Sequence, residues 1–425
     1  MGIKNYRWSL FEKYLELLDY RYKGVEYKKV LAFDILLIVF NDDFKKSLSY
    51  LRILRIFFLS SFLDRIIYSI KTKKLLATNR SKRLDYSELY SAVLFDIKDF
   101  KYLELSDQKR IVKFSIINIL VSLRQSKRLL LAGFGLKSTL YISSKFCFYL
   151  NSHKDLLKLN RNSIKLKNYV SFCSAVGFEN LITQFFNQET NVNTFSLTHE
   201  VLFGRYKKDI PLNYINGFNN VSKKIIVWGE YSKQDLIENF KVKDSDIIIS
   251  GNPKYTNKTS TVKKSFISCI VILPRDIYHE SNVELLYLLK NLSKELNFEV
   301  SIKLHPSLIY FNEYNDIAKQ CNFKLIDNSI TLKDCLLSDK YDFSVGYNTN
   351  AYYESLYFDM PFFRYEKPEN EIFRGLNDKF STEQQLSNKI EEFKNKNQDF
   401  LNAEIQKVLI SSLGLGINNY SKILN

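Results

Sequence analysis

Phe298-Glu299-Val300-Ser301-Ile302-Lys303-Leu304-His305-Pro306 and Tyr341-Asp342-Phe343-Ser344-Val345-Gly346-Tyr347-Asn348-Thr349-Asn350 decide how this chain is read. Each begins as a short apolar run of strand character and ends abruptly in polar residues. The first stops at His305-Pro306, because proline cannot extend a hydrogen-bonded ladder. The second opens into Gly346 to Asn350, then a helix-like Ala351 to Tyr357 that closes at Asp359-Met360-Pro361 before Phe362-Phe363. The pattern is strand, loop, helix, strand, loop, helix, with the polar groups gathered where strands end. In open α/β sheets ligands bind at those ends, and anionic groups favour helix N-termini. Asn348, Thr349 and Asn350 fall at such a start, although Asn and Thr are also common helix caps.

Working outward, the whole chain has 425 residues, more than one core usually supports, so two domains are expected. We read them as residues 1–253 and 265–425, with Lys254 to Lys264 as linker and the last helix, Gln398 to Leu413, as a candidate to cross back. Five cysteines, odd in number and far apart, show no CxxC pair, so neither a zinc site nor a disulfide framework is expected. Met1 to Arg7 lead into charged sequence without a cleavable signal pattern, and no run approaches the ~20 apolar residues of a membrane-spanning helix. A cytoplasmic protein is the expectation. The net charge of +16 calls for anionic partners. Zinc-finger spacing, aromatic RNA-binding signatures and heptad-bearing basic regions are all missing, so nucleic acid is not the expected partner. Anionic lipid, or an anionic nucleotide and acceptor, fits the charge.

In chain order, Leu10 to Tyr20 predicts a helix, and Phe33 to Phe40 a buried strand whose Asn41-Asp42-Asp43 then cap the helix that follows. Leu51 to Lys74 reads as helical, apolar and basic, either core or lying on an anionic membrane face. Leu129 to Phe134 reads as a strand ending at Gly133 and Gly135. Tyr169 to Ser174, the helix from Phe178, and Thr194 to Leu197 have the length of a βαβ unit and lead to Thr198-His199-Glu200. A basic loop, Arg205 to Asp209, follows. Strands ending at Trp228-Gly229 and at Gly251-Asn252-Pro253 close the first domain. Phe266 to Leu273, ending at Pro274-Arg275-Asp276, opens the second. Ser381 and Gln384 have the spacing of a capping box for the helix to Lys396.

The order Lys-Leu-His-Pro, then a small-polar loop and a helix carrying Glu354, resembles the C-terminal half of bacterial GT-B glycosyltransferases. It is most similar to the surface-polysaccharide enzymes that include sialyltransferases, polysialyltransferases and Kdo transferases. The resemblance spans roughly Tyr169 to Tyr365. It implies an α/β fold of two Rossmann-like domains facing a cleft, with the His-Pro and downstream Ser/Thr pairs holding the donor's nucleotide and phosphate. At the second pair this chain has Thr349-Asn350. The resemblance also implies a ribose-binding part for Glu354 and a Gln-His-Gly strand end, of which only His199 remains, between Thr198 and Glu200.

Glycosyl transfer needs a base for the acceptor hydroxyl, an electrostatic sink for the departing phosphate, and orientation. His305 and Pro306, Arg275, Gly251, Asn348, Thr349, Asn350 and Glu354 are the donor-binding candidates. For the base the candidates are His199 and Glu179, and a histidine needs no large pKa shift to serve. Asp42-Asp43 lacks the spacer of a DxD metal clamp, so inverting, metal-independent transfer without a cofactor is expected. The nucleotide-sugar is substrate, and the acceptor is a glycan or glycolipid. A CMP-linked nonulosonic acid such as sialic acid is the first donor expected, with UDP- and GDP-hexoses close behind. The alternatives are glycerol phosphate transfer from CDP-glycerol and a non-catalytic polysaccharide-binding or assembly protein.

Overall fold

The computed structural model describes residues 3–61, 63–79, 84–107, 110–158, 164–189, 191–201, 211–366 and 374–425. The chain divides into two compact units. One comprises Met1–Trp228, Ser232–Lys254 and Ile417–Asn425, the other Gly229–Tyr231 and Tyr255–Gly416. The basic loop Arg205 to Asp209 lies outside the described residues.

The first unit is built on a six-stranded sheet. Its strands are β1 (Leu75–Asn79), β2 (Phe100–Glu104), β3 (Asn168–Ser171), β4 (Asn193–Leu197), β5 (Lys224–Val227) and β6 (Ile247–Ile249), in the order β6-β5-β4-β3-β1-β2. Every pairing is parallel, with Ala77 opposite Val170 at the centre. All residues of β1 and β3 are buried, as expected of central parallel strands covered on both faces, and they include the polar Thr78, Asn79, Asn168 and Ser171. A helical layer accompanies the sheet. Its core joins Phe11, Val30, Leu31, Ile35 and Phe146 from the helices Ile3–Glu16, Tyr27–Phe40 and Leu136–Leu156.

That layer corrects three expectations. Phe33 to Phe40 is the second half of the helix Tyr27–Phe40, not a strand. An all-round apolar run has no period to separate a buried helix from a buried strand, and here the helix buries residues on every side. Leu129 to Phe134 is not a strand: Leu129 to Leu131 end the helix Ile116–Leu131, Gly133 turns the chain with a φ of 89°, and Gly135, at φ 84°, is the N-cap of the next helix, Leu136–Leu156. Leu51 to Lys74 is not one helix. It breaks into Tyr50–Phe57, a short strand Leu59–Ser61 paired antiparallel to Arg110–Val112, and Asp64–Thr72.

His153 sits fully buried in the same layer, its Nδ1 sharing a hydrogen bond with the Tyr27 hydroxyl at 2.9 Å. Burial lowers its pKa to about 4. Below the ordinary value near 6.5 the unfolded chain takes up a proton that the folded chain refuses until about 4, so folding weakens as pH falls through that window. Urea unfolding should find the first unit about 2 kcal/mol less stable at about pH 5 than at about pH 7 from this group. His153→Asn should remove that part of the slope, and an unchanged slope would show that another group carries it.

The second unit carries its own six-stranded sheet. The strands are β7 (Ser268–Ile272), β8 (Glu299–Lys303), β9 (Lys324–Leu325), β10 (Phe343–Gly346), β11 (Phe362–Tyr365) and β12 (Lys379–Phe380), in the order β9-β8-β7-β10-β11-β12. Again every pairing is parallel. Phe266 anchors an aromatic cluster, its ring 5.3 Å from Phe343 and 6.0 Å from both Phe363 and Phe393. The helix Gln398–Leu413 belongs to this unit, and the segment Ile417–Asn425 with its short helix Tyr420–Leu424 belongs to the first. The cap of the helix Glu383–Asn395 lies one residue later than the sequence suggested. Thr382 accepts from the Gln385 amide, while the Gln385 side chain accepts from the Ser381 amide.

Candidate functional site

Strand order fixes where each sheet opens. Numbered by appearance, the second unit runs 3-2-1-4-5-6, the Rossmann order, and reverses direction between β7 and β10. There the connections leave the sheet in opposite senses, which opens a crevice beyond the carboxyl ends of the strands. Arg275 lies just after β7, His305 just after β8, and Asn348 to Asn350 just after β10. These donor candidates therefore gather at one reversal, although they are far apart in sequence.

The loops are tied to one another. Ser307 Oγ accepts from the Asp276 amide at 3.2 Å, linking the β7 and β8 loops. Asn348 Nδ2 donates to the Tyr278 hydroxyl, and the Tyr278 and Tyr347 rings meet edge to face at 5.4 Å, linking the β7 and β10 loops. His305 Nδ1 accepts from the Ser307 amide at 3.1 Å. In the neutral ring that assigns the proton to Nε2, making it a donor. Pro306 begins the turn Pro306–Leu308, so the proline both ends the strand and fixes the loop that orients His305. Arg275 is half-buried, and among the described residues its guanidinium has no ion-pair partner.

Gly346 ends β10 because nothing larger fits. A Cβ there would stand 2.7 Å from the Phe362 ring and 2.9 Å from the Ile272 carbonyl. Asn348 then takes φ +44°, a conformation Asn tolerates better than most residues. Thr349 Oγ1 accepts from the Ala351 amide at 3.3 Å. The Asn348 and Asn350 amide oxygens are shut from solvent without a hydrogen-bond partner among the described residues.

Two donor candidates stand apart. Glu354, in the helix Ala351–Tyr357, takes a hydrogen bond from the Tyr255 hydroxyl, whose pKa burial raises first and the Glu354 charge second. Gly251 belongs to the first unit, beyond β6, where its carbonyl accepts from Tyr420 at 2.6 Å.

In the first unit the order reverses between β1 and β3. Glu179 lies near that reversal but is buried, accepting from the Phe172 amide at 3.1 Å and the Thr78 hydroxyl at 3.5 Å. Those bonds fasten the end of β3 to β1. His199, past the end of β4, is half-buried against two rings, 5.0 Å from Tyr86 and 5.2 Å from Phe172.

Sequence reading missed the charged cluster between β11 and β12, centred on Arg364 of β11. Arg364 is 2% exposed, with Nε 2.5 Å from Asp378 Oδ1, Nη2 2.6 Å from the Leu376 carbonyl, and its cation 4.6 Å from the Tyr352 ring centre. Glu366 lies beside it, its pKa raised by burial against the pull of Arg364 and Lys379. The signal was an arginine inside Phe362-Phe363-Arg364-Tyr365.

No family model matches the chain, and no curated protein matches it. Among solved structures it is similar to S. aureus MnaA with UDP, at 12% identity over 82% of this chain and 94% of that one, TM-score 0.47. Methanocaldococcus jannaschii UDP-GlcNAc 2-epimerase is 11% identical over 82% and 98%, TM-score 0.48. The wall teichoic acid polymerase TagF is 11% identical over 99% and 96%, TM-score 0.42. Likeness at this level carries nothing about reaction or ligand.

Proposed function

We propose that the chain is a glycosyltransferase that moves a sugar from a nucleotide donor, held by its second unit, to a growing surface glycan. The observation that carries this reading is the reversal between β7 and β10. Arg275, His305 and the Asn348 turn converge there, at the place where an open α/β sheet takes a nucleotide. A guanidinium with no ion-pair partner among the described residues suits a phosphate, which it can meet through two N–H groups at once. The Nε2–H of His305 supplies a second donor. Together they would stabilise the leaving nucleotide phosphate. Acceptor deprotonation is assigned to His199, because Glu179 is committed to the Phe172 amide. A CMP-activated nonulosonic acid is the first donor, on the His-Pro resemblance, and the transfer is inverting and independent of metal.

The second reading is a non-catalytic polysaccharide-binding protein of the same fold. The burial of Glu179 favours it, since that leaves one base candidate. Nucleotide release from CMP-nonulosonic acid, UDP- and GDP-hexoses and CDP-glycerol decides between the readings. Release from one nucleotide-sugar with an acceptor glycan present is expected. Release from CDP-glycerol alone would move the assignment to glycerophosphotransfer, and release from none would favour the binding protein.

A further inference from the structure

The helix Ile116–Leu131 is built inside out for a helix in water. Its buried positions are Asn118, Ser122, Ser126 and Leu129. Asn118 Nδ2 donates to Asn151 at 2.7 Å, and Ser122 donates to the Ile119 carbonyl at 2.8 Å. Its outward face carries Ile117, 68% exposed, Leu120, 60%, and Leu131, 77%. A helix on a soluble surface arranges these residue types the other way round. Each exposed aliphatic side chain leaves a stabilising dehydration unused.

The apolar surface does not stop at this helix. Phe114, just before it, stacks on Phe58 with ring centres 5.7 Å apart and an interplanar angle of 14°. Phe58 ends the helix Tyr50–Phe57, whose Leu51 and Leu54 are also outward. Both helices pack on the same third helix, Leu136–Leu156, so the apolar residues form one layer on the first unit. Exposed patches of this kind mark interaction sites.

Charge selects the partner. From Phe44 to Leu63 and from Arg110 to Lys154 the sequence contains no Asp or Glu. Arg52 and Arg55 on one helix, and Arg124, Lys127 and Arg128 on the other, are exposed beside the apolar groups. A second copy of the chain would bring the same cations against themselves with no acid on these segments to meet them. An anionic lipid surface meets both features, taking up aliphatic side chains and pairing headgroups with the cations. No helix among the described residues is long and apolar enough to cross a membrane, so the contact would be interfacial.

We infer that the layer formed by the helices Tyr50–Phe57 and Ile116–Leu131 docks the first unit onto an anionic lipid bilayer. This surface is independent of the donor reading, because nucleotide binding and vesicle binding are separate measurements. It differs from the membrane stretch expected between Leu51 and Lys74, since only the first helix of that stretch takes part and the larger share comes from Ile116–Leu131.

The test is flotation of the full chain with vesicles of phosphatidylcholine alone or with roughly one-third phosphatidylglycerol. The wild type should prefer the anionic vesicles by about a hundredfold or more at low salt, falling as salt rises. Arg124→Gln/Lys127→Gln/Arg128→Gln should lose about a hundredfold, near fivefold per cation. Ile117→Gln/Leu120→Gln should lose tenfold or so while keeping the wild-type melting temperature, with Leu51→Gln/Leu54→Gln as a second pair should the first unfold. Equal binding to both vesicle types, no binding at low salt, or folded variants that float like the wild type would overturn the proposal. A concentration-dependent dimer abolished by the Ile117/Leu120 pair would also overturn it, in favour of a second copy.

Discussion

Arg364→Leu should destabilise the second unit by about 3–5 kcal/mol, the cost of leaving a buried carboxylate without its cation. Asp378 is 2% exposed and receives from both Arg364 Nε and the Tyr352 hydroxyl, the latter at 2.7 Å. Burial raises the Asp378 pKa and the Arg364 charge opposes that rise. Removing the guanidinium takes away the largest influence that opposes burial and leaves the Tyr352 hydroxyl as the side-chain contact still lowering the pKa, so the carboxyl is driven further toward its neutral form. A group whose folded pKa is raised weakens folding as pH rises above its unfolded value and does no harm below it. The deficit of the variant should therefore shrink as the pH is lowered toward about 4. Adding Asp378→Asn should recover part of the loss, because the two changes are coupled. Urea unfolding at neutral and acid pH measures both effects, and a loss below about 1 kcal/mol at neutral pH would show that the pair is not a stabilising network.

Arg275→Ala should behave in the opposite way, sparing stability and removing ligand binding. With no ion-pair partner among the described residues, its truncation should change unfolding by no more than about 0.5 kcal/mol. Losing a charge-assisted pair of hydrogen bonds to phosphate should cost roughly 2–4 kcal/mol of nucleotide affinity, about 30- to 1,000-fold in Kd. Arg275→Lys should restore only part, since an ammonium keeps the charge and loses the fork. Calorimetric titration of the nucleotide into both variants provides the comparison. Full affinity in Arg275→Ala would remove this residue from the site.

The second unit was legible because its strands are short apolar runs with sharp polar ends. Phe298 to Leu304 contains β8, Tyr341 to Val345 overlaps β10, and Phe266 to Leu273 contains β7. Parallel strands buried on both faces leave that signature. The helical layer of the first unit was not legible for the same reason, since Phe33 to Phe40 is equally apolar but belongs to a helix. Residue types also hid what the fold decides. Nothing in the sequence distinguishes Glu179, committed to the Phe172 amide, from a carboxylate available for catalysis. Arg364 gave a visible clue, a cation within an aromatic strand, but its partner Asp378 immediately precedes β12, which pairs with β11 only in the folded sheet. The outward apolar face of Ile116–Leu131 was hidden because an amphipathic pattern does not say which face is inside.

The most direct measurement is a thermal-shift panel of CMP, CDP, UDP and GDP against the wild type and His305→Ala. A nucleotide present at about a hundred times its dissociation constant adds ~2.7 kcal/mol to the folded state, a rise of roughly 5–10 °C for a unit of this size. One nucleotide should raise the melting of the second unit in the wild type and lose most of that effect in His305→Ala. If none of the four does so at concentrations approaching millimolar, the second unit is not a nucleotide-donor domain and the glycosyltransferase assignment fails.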